Sequence, residues 1–412
     1  MSDGEPGLRN TISGFRDWMA LSVMLSGGLM LALVVSAMSP VAHDAAVYFA
    51  KSGDGDLIAQ AIVTAPSIGI ILGGPVSGWI IAQLGAKRFF LTALALFGLA
   101  GSAGLYLESA TLLLVSRFVL GIATSGIVTA MITMIGATYA PAARARILGY
   151  QSASGALAGV AAIFGAGQLG EIGGWRAPFG LYLLALPIVL LGAIYLPATE
   201  RPAKRTTESA PIDYSTLIKL WPIYLMIIPM FIAVYMPNIQ VSFLLRDDGV
   251  TSPATQSYVI LTGAATVAIA ALCFGAISRR VGNRVILLAC FVFQGVGIGF
   301  MGLLHGPIPA AIGCGILGIG TGISNPLISD LLVSRTTPEV RSLAIGASYT
   351  ARYSGDFLNP WIVHPLGVAL GLHRAFVLVG ALFLGGVGVA SIFGRSSGSR
   401  SDLPLEDVAQ TN

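Results

Sequence analysis

The feature that most constrains this chain is a succession of twelve long apolar runs, each bounded by charge or turn residues. They fall near residues 18–41, 57–83, 89–107, 110–136, 146–168 and 177–197, then near 220–245, 256–277, 285–304, 308–334, 342–364 and 374–394. A membrane helix needs about 20 apolar residues, and each run is near that length or longer. Composition points the same way: of 412 residues 55% are hydrophobic and 10% charged, with a mean hydropathy of +0.82. Soluble domains carry about a quarter charged residues. A soluble enzyme, a disordered chain and a disulfide scaffold are therefore excluded. The 52 glycines and 21 prolines suit helices in lipid, where neighbours re-satisfy freed backbone groups and small residues permit close packing.

The basic residues set the expected orientation. With the N-terminus inside, 17 of the 23 Lys and Arg fall in cytoplasmic segments and four (Lys51, Arg176, Arg246 and Arg374) on the other side. The positive-inside rule then puts both termini and the central linker in the cytoplasm of a cell whose inner membrane holds the chain. The net charge of +4 is thus a matter of topology, and no nucleic-acid partner is expected. Cys273, Cys290 and Cys314 all lie in apolar runs, which indicates neither a disulfide framework nor a metal site.

The two sets of runs are repeats of one another. A shift of 197 residues carries Gly78 and Gly85 onto Gly275 and Gly282, Gly121-Ile122 onto Gly318-Ile319, and Thr124 onto Thr321. The same shift carries Pro141, Arg144 and Gly149 onto Pro338, Arg341 and Gly346. The expected fold is all-α and integral to the membrane: twelve transmembrane helices in two pseudo-symmetric six-helix bundles. Its parts are a segment 1–17, a bundle 18–197, a linker 198–219, a bundle 220–394 and a tail 395–412. Parallel repeats of this kind build secondary transporters, with the substrate between the halves near the midplane.

Ionisable groups at bilayer depth are costly and mark candidate functional sites. In the eleventh run Arg352 and Asp356 are four residues apart on one helical face, together with Tyr349, Tyr353, Asn359 and His364. The pair reads as a proton-coupling site, or as a closed structural ion pair. Arg117 reads as a counter-charge for an anionic substrate, or as a structural arginine held by carbonyls of the first helix. In the repeat their mates are uncharged: Gly155, Gly159 and Cys314. Tyr235, Asn238 and Gln240 flank Pro237 and offer a bend with amides for a substrate. Asp330 lies within reach of the Arg279–Arg284 loop and reads as a lock on the cytoplasmic side. His43, His305, His364 and His373 lie at no metal-ligand spacing and read as surface or interface groups, while Asp44, Asp54 and Asp56 read as solvated. No nucleophile–base, metal-ligand or phosphate-loop motif is present, so neither catalytic residues nor a cofactor are expected.

Several segments resemble the major facilitator superfamily. Gly78-Trp79-Ile80-Ile81-Ala82-Gln83-Leu84-Gly85-Ala86-Lys87-Arg88 is similar to the family's loop signature, with Ala82-Gln83 where the family carries Asp-Arg. The second copy, Gly275 to Arg284, keeps the basic residues Arg279, Arg280 and Arg284 beside Gly282. Arg117-Phe118-Val119-Leu120-Gly121 resembles the Arg-x-x-x-Gly motif of the fourth helix, and Gly174 to Phe179 also looks like the family. The resemblance implies alternating access and a cytoplasmic gate at the two loop signatures. It further implies a role for Arg117 in coupling, and likeness to drug:proton antiporters. The fifth helix departs from exporters: no proline stands between Pro141 and Pro178, and Gly155-x-x-x-Gly159 reads as a close-packing face. The expectation is a monomeric, proton-coupled secondary transporter of a small amphipathic organic solute, leaning to efflux. The alternative is proton-coupled uptake of a small organic anion, peptide or nutrient.

Overall fold

The computed structural model describes residues 14–197, 218–336 and 338–393. Most of the expected linker 198–219 and of the two tails, 1–17 and 395–412, lies outside the described residues, as does the side chain of Arg341. In lipid every backbone polar group must be satisfied internally, and the described residues are almost wholly helical.

The first bundle consists of α1 (Phe15–Ser36), α2 (Gly55–Leu84), α3 (Ala86–Ser102), α4 (Ala110–Thr138), α5 (Pro141–Gly173) and α6 (Ala185–Tyr195). The second consists of α7 (Trp221–Asp247), α8 (Pro253–Ser278), α9 (Asn283–Leu303), α10 (Pro307–Ser334), α11 (Pro338–Leu370) and α12 (Leu372–Phe393). Ten of the helical spans are long and apolar enough to cross a membrane; α12 supplies a shorter apolar stretch, Leu372–Val387. The exception is α11, whose segment from Ser348 to Asn359 carries the charged and polar residues singled out above. The first helix ends at Ser36, near the expected limit of the first run. A turn at Ser39–Val41 leads into a short helix, Ala42–Phe49, on the side opposite the linker. We call that side the far face and the other the linker face.

Helix ends follow local chemistry. Asp54 caps α2 by accepting the Leu57 N–H at 3.0 Å, and Ser252 caps α8 by accepting the Thr255 N–H at 3.2 Å. Gly85, at φ 82°, makes the turn from α2 into α3 that a side chain would strain. The repeat is visible in packing. Gly121 of α4 lies against the Pro66 carbonyl of α2, and its mate Gly318 of α10 lies against the Gly263 carbonyl of α8; a Cβ at either would overlap its neighbour. Gly155 meets Gly28 of α1, which bears out its reading as a packing position.

Three buried apolar clusters form the core. One is built by α1–α6 and takes in Ile239 and Phe243 of α7. The other two lie in α7–α12, one towards each face, and the far-face cluster takes in Ile163 of α5. The two bundles thus share apolar packing in the far half of the molecule.

Candidate functional site

The site lies along the seam between the bundles, and the candidate residues divide into three groups there. The first group crosses the seam at mid-depth. Asp356 of α11 is buried and accepts a hydrogen bond from the hydroxyl of Ser67 on α2. Towards the far face, the Gln240 amide of α7 donates to Asn359 Oδ1 of α11, and at 3.4 Å to Gln60 Oε1 of α2. Asn359 in turn donates to the Ile232 carbonyl at 2.8 Å. Asp356, Asn359, Gln240, Gln60 and Ser67 therefore make a buried polar strip belonging to both bundles.

The second group surrounds Arg352. Its guanidinium donates to Asn325 Oδ1 of α10 at 2.6 Å and lies 5.1 Å from the ring centres of both Phe231 and Tyr349. The Tyr235 ring lies tilted against Phe231, with centres 6.1 Å apart. Arg352 Nε is buried without a hydrogen-bond partner among the described residues. The expected ion pair is corrected here: Arg352 turns to Asn325 and Asp356 to Ser67. Helical side chains lean towards the N-terminus. The long arginine accordingly reaches back towards the linker face, away from the residue one turn ahead of it.

The third group is an apolar cavity of about 230 Å³ between α5 and helices α7, α8 and α10. Asn238 and Pro237 line it, with Gly159, Val160, Val267 and Thr321. Asn238 therefore belongs with the cavity, while Tyr235 and Gln240, from the same helix, belong with the two polar groups.

Arg117 joins none of these. Only 1% exposed, it donates to the Gly101 carbonyl of α3 at 2.5 Å, with its guanidinium 4.6 Å and 5.0 Å from the ring centres of Phe179 and Tyr182. Its surroundings are those of the structural reading, enclosed within the first bundle and held by a backbone carbonyl, with the correction that the carbonyl comes from the third helix rather than the first. The partner nearest the first helix is Tyr182, whose hydroxyl donates to the Leu33 carbonyl at 3.2 Å.

The loop signatures are also placed. Lys87 donates to the carbonyls of Ala193 and Leu196 at 3.1 and 2.5 Å, which closes the C-terminus of α6 within its own bundle. Arg88, Arg279, Arg280 and Arg284 are exposed, as is Asp330. Asp330 accepts from the Asn283 amide of the second loop at 3.1 Å. Gly78 and Gly282 meet nothing that a Cβ would strike.

Sequence reasoning missed Gln60, Ser67, Phe231 and Asn325. Gln60 and Ser67 are seven residues apart, two turns of one helix, and a polar stripe at that spacing in an apolar run was the available signal. Two acids read as solvated prove to be partners at the far face. Asp54 Oδ2 meets His364 Nε2 at 2.8 Å, and Asp44 pairs with Arg246 at 3.7 Å, both between bundles. Ser252 donates to Glu171 at 2.7 Å, and Gln168 to the Tyr258 hydroxyl at 3.1 Å, again between bundles. These contacts across the seam all lie at mid-depth or towards the far face.

A two-bundle helical repeat with a polar seam is the architecture of a transporter family, and the family profile of the Major Facilitator Superfamily matches residues 17–360. The chain belongs to the Major Facilitator Superfamily. Solved structures share its fold. The nucleoside transporter NupG, as a point mutant, superposes with a TM-score of 0.73 at 12% identity, over 92% of this chain and 99% of that one. The xylose transporter XylE from E. coli, in a partially occluded inward-open conformation, gives 0.71 at 12% identity, over 91% and 97%. A bacterial homologue of the human lysosomal transporter Spinster, in an inward-facing and unoccupied conformation, gives 0.74 at 16% identity, over 93% and 97%. Among curated protein sequences none matches. As a member of this superfamily the chain is a multi-pass membrane transporter for a small molecule, not an enzyme.

Proposed function

We propose that the chain is a proton-coupled secondary transporter of a small organic solute, working by alternating access with Asp356 as its proton site. The observation that carries this reading is the Asp356 carboxyl, buried in the seam with a partner on the opposite bundle, Ser67, and no cation in ion-pair range among the described residues. When the bundles rock, that partner and the access of water change together. The affinity of the carboxyl for a proton then differs between transport states, which is the physical requirement for coupling. The orientation that fits the basic residues puts the termini and linker in the cytoplasm of an inner membrane. The far-face bonds then make this a state sealed on the outside. One chain supplies the whole seam, in keeping with a monomer.

The apolar cavity supports an amphipathic cargo, the first reading, which leans to efflux. One observation favours the second reading, uptake of an organic anion: Arg352 has an amide and two rings for company, leaving its charge without a carboxylate. In liposomes with an imposed pH gradient, using a cargo found by thermal stabilisation across nucleosides, peptides, sugars and amphipathic ions, Asp356→Asn is expected to lose uphill accumulation. Cargo exchange without a gradient is expected to persist. Full uphill accumulation in that variant would remove Asp356 from coupling. Deletion in the host separates the directions: toxin hypersensitivity means efflux, and failure to grow on one compound means uptake.

A further inference from the structure

At the far face of the second bundle three helix connections bring together Asp248, which follows α7, His305, between α9 and α10, and His373, at the start of α12. Their ligand-capable atoms all lie within 4.8 Å of one another. Asp248 Oδ1 is 2.6 Å from His305 Nδ1 and 3.1 Å from His373 Nε2, so two imidazoles converge on one carboxylate oxygen. The rings lie against each other at 4.0 Å. The transport seam uses none of the three.

The hydrogen bonds behind these atoms fix what they can do. His373 Nδ1 faces the Gly302 carbonyl at 3.3 Å. A carbonyl only accepts, so Nδ1 carries the hydrogen and a neutral His373 has its lone pair on Nε2, aimed at the carboxylate. That tautomer turns a lone pair towards the carboxylate oxygen 3.1 Å away, an arrangement that a shared cation satisfies. The other carboxylate oxygen, Oδ2, accepts the Gly306 N–H at 2.8 Å, which holds the carboxyl in place. A ring nitrogen and a carboxylate, each oriented by a backbone group behind it, are the outer-shell supports that metal ligands have.

We propose that Asp248, His305 and His373 form a binding site for a first-row divalent metal ion of the zinc class, with a solvent-facing position left open. The donor set of two imidazoles and one carboxylate suits zinc, nickel, cobalt or copper and is poor for magnesium or calcium. Zinc bonds of about 2.0–2.2 Å in tetrahedral geometry put neighbouring donors roughly 3.3 Å apart. The His373–Asp248 distance of 3.1 Å is already near that spacing, and the His305–Asp248 distance of 2.6 Å opens towards it with a turn of His305. That ring is free to make it, since its side chain is 70% exposed, against 5% for Asp248 and 17% for His373. The ion ties three loops of one bundle together and does not bridge the seam. The donors are separated by 57 and 125 residues from Asp248, which is why no sequence spacing announces them.

The test uses the full chain, without an affinity tag and in a Cys273→Ser background because Cys273 is an exposed thiol. After treatment with a chelator, the protein is titrated with Zn²⁺ and with Co²⁺, following heat release, the cobalt spectrum and the melting temperature. One equivalent is expected to bind and to raise the melting temperature, while Mg²⁺ does neither. His305→Ala and His373→Ala are each expected to weaken binding about tenfold or more. His305→Ala keeps the test sound, because an exposed side chain is not needed for folding. Absence of any stabilisation by Zn²⁺ or Co²⁺, or equal affinity in His305→Ala, overturns the site.

Discussion

Arg117 and Arg352 look alike in the sequence: each is a lone arginine in an apolar run, with an uncharged mate in the repeat. Each is held within a single bundle, and what differs is where in the bundle it lies. Arg117 is held by a carbonyl of α3 and by two rings from the segment leading into α6, all parts of one bundle. Those parts travel together whatever the bundles do. Arg352 is held by Asn325 of α10 and Phe231 of α7, one turn from the carboxyl that reaches across to Ser67. Burial alone therefore does not mark a working charge. On the proposed function, what marks it is a place beside the seam, as Arg352 has next to Asp356.

The largest effect that bears on this contrast is expected at Arg117. Arg117→Met keeps the length and discards a charge-assisted hydrogen bond and the ring contacts, a loss of about 2–4 kcal/mol from the usual worth of such interactions. The melting temperature in detergent should fall, and transport per folded molecule should survive. A variant that melts like the wild type yet has lost uphill transport would break the contrast and restore Arg117 to coupling.

A smaller effect is expected at Arg352. Arg352→Gln should weaken transport of an anionic cargo about tenfold to a hundredfold, the worth of one or two hydrogen bonds to a charged group. The melting temperature should move far less than in Arg117→Met, because Asn325 can pair with the new amide. If the cargo is uncharged and its affinity is unaltered, Arg352 belongs with Arg117 as scaffold.

The sequence carried the helices because lipid leaves the backbone one economical solution and because hydropathy is a local property. It carried the repeat because close approach at Gly121 and Gly318 demands glycine at both. It carried the surface of α11 on which Arg352 and Asp356 stand, but not their partners. Which way a side chain turns is decided by Ser67 and Asn325, which lie on other helices and are ordinary residues in an apolar run. Asp54 and Asp44 failed for the same reason. Beside Lys51 and Asp56 they read as a wet loop, and only the docking of α7 and α11 makes them partners.

The Asp54–His364 contact offers the finest test of the idea that the seam, rather than the bundle interior, is where charge does its work. Asp54 is held below the ordinary carboxylate range, first by the Leu57 N–H it caps and then by His364. A depressed carboxyl contributes stability that is present above its unfolded value and is lost as pH falls through the lower, folded one. The Asp54 contribution to the stability of the fold is therefore fully present above the usual value of about 3.9 and fades in acid below it. Its side chain is 50% exposed, so the contact with His364 is worth about 0.2–1 kcal/mol, and losing it shifts the open and sealed populations by at most about fivefold. Spin-label distances across the far face should show Asp54→Asn displaced towards the open state by that modest factor at pH 7. A displacement much larger than this would make the Asp54–His364 contact a principal latch, and the polar strip at Asp356 would then be the lesser part of the seal.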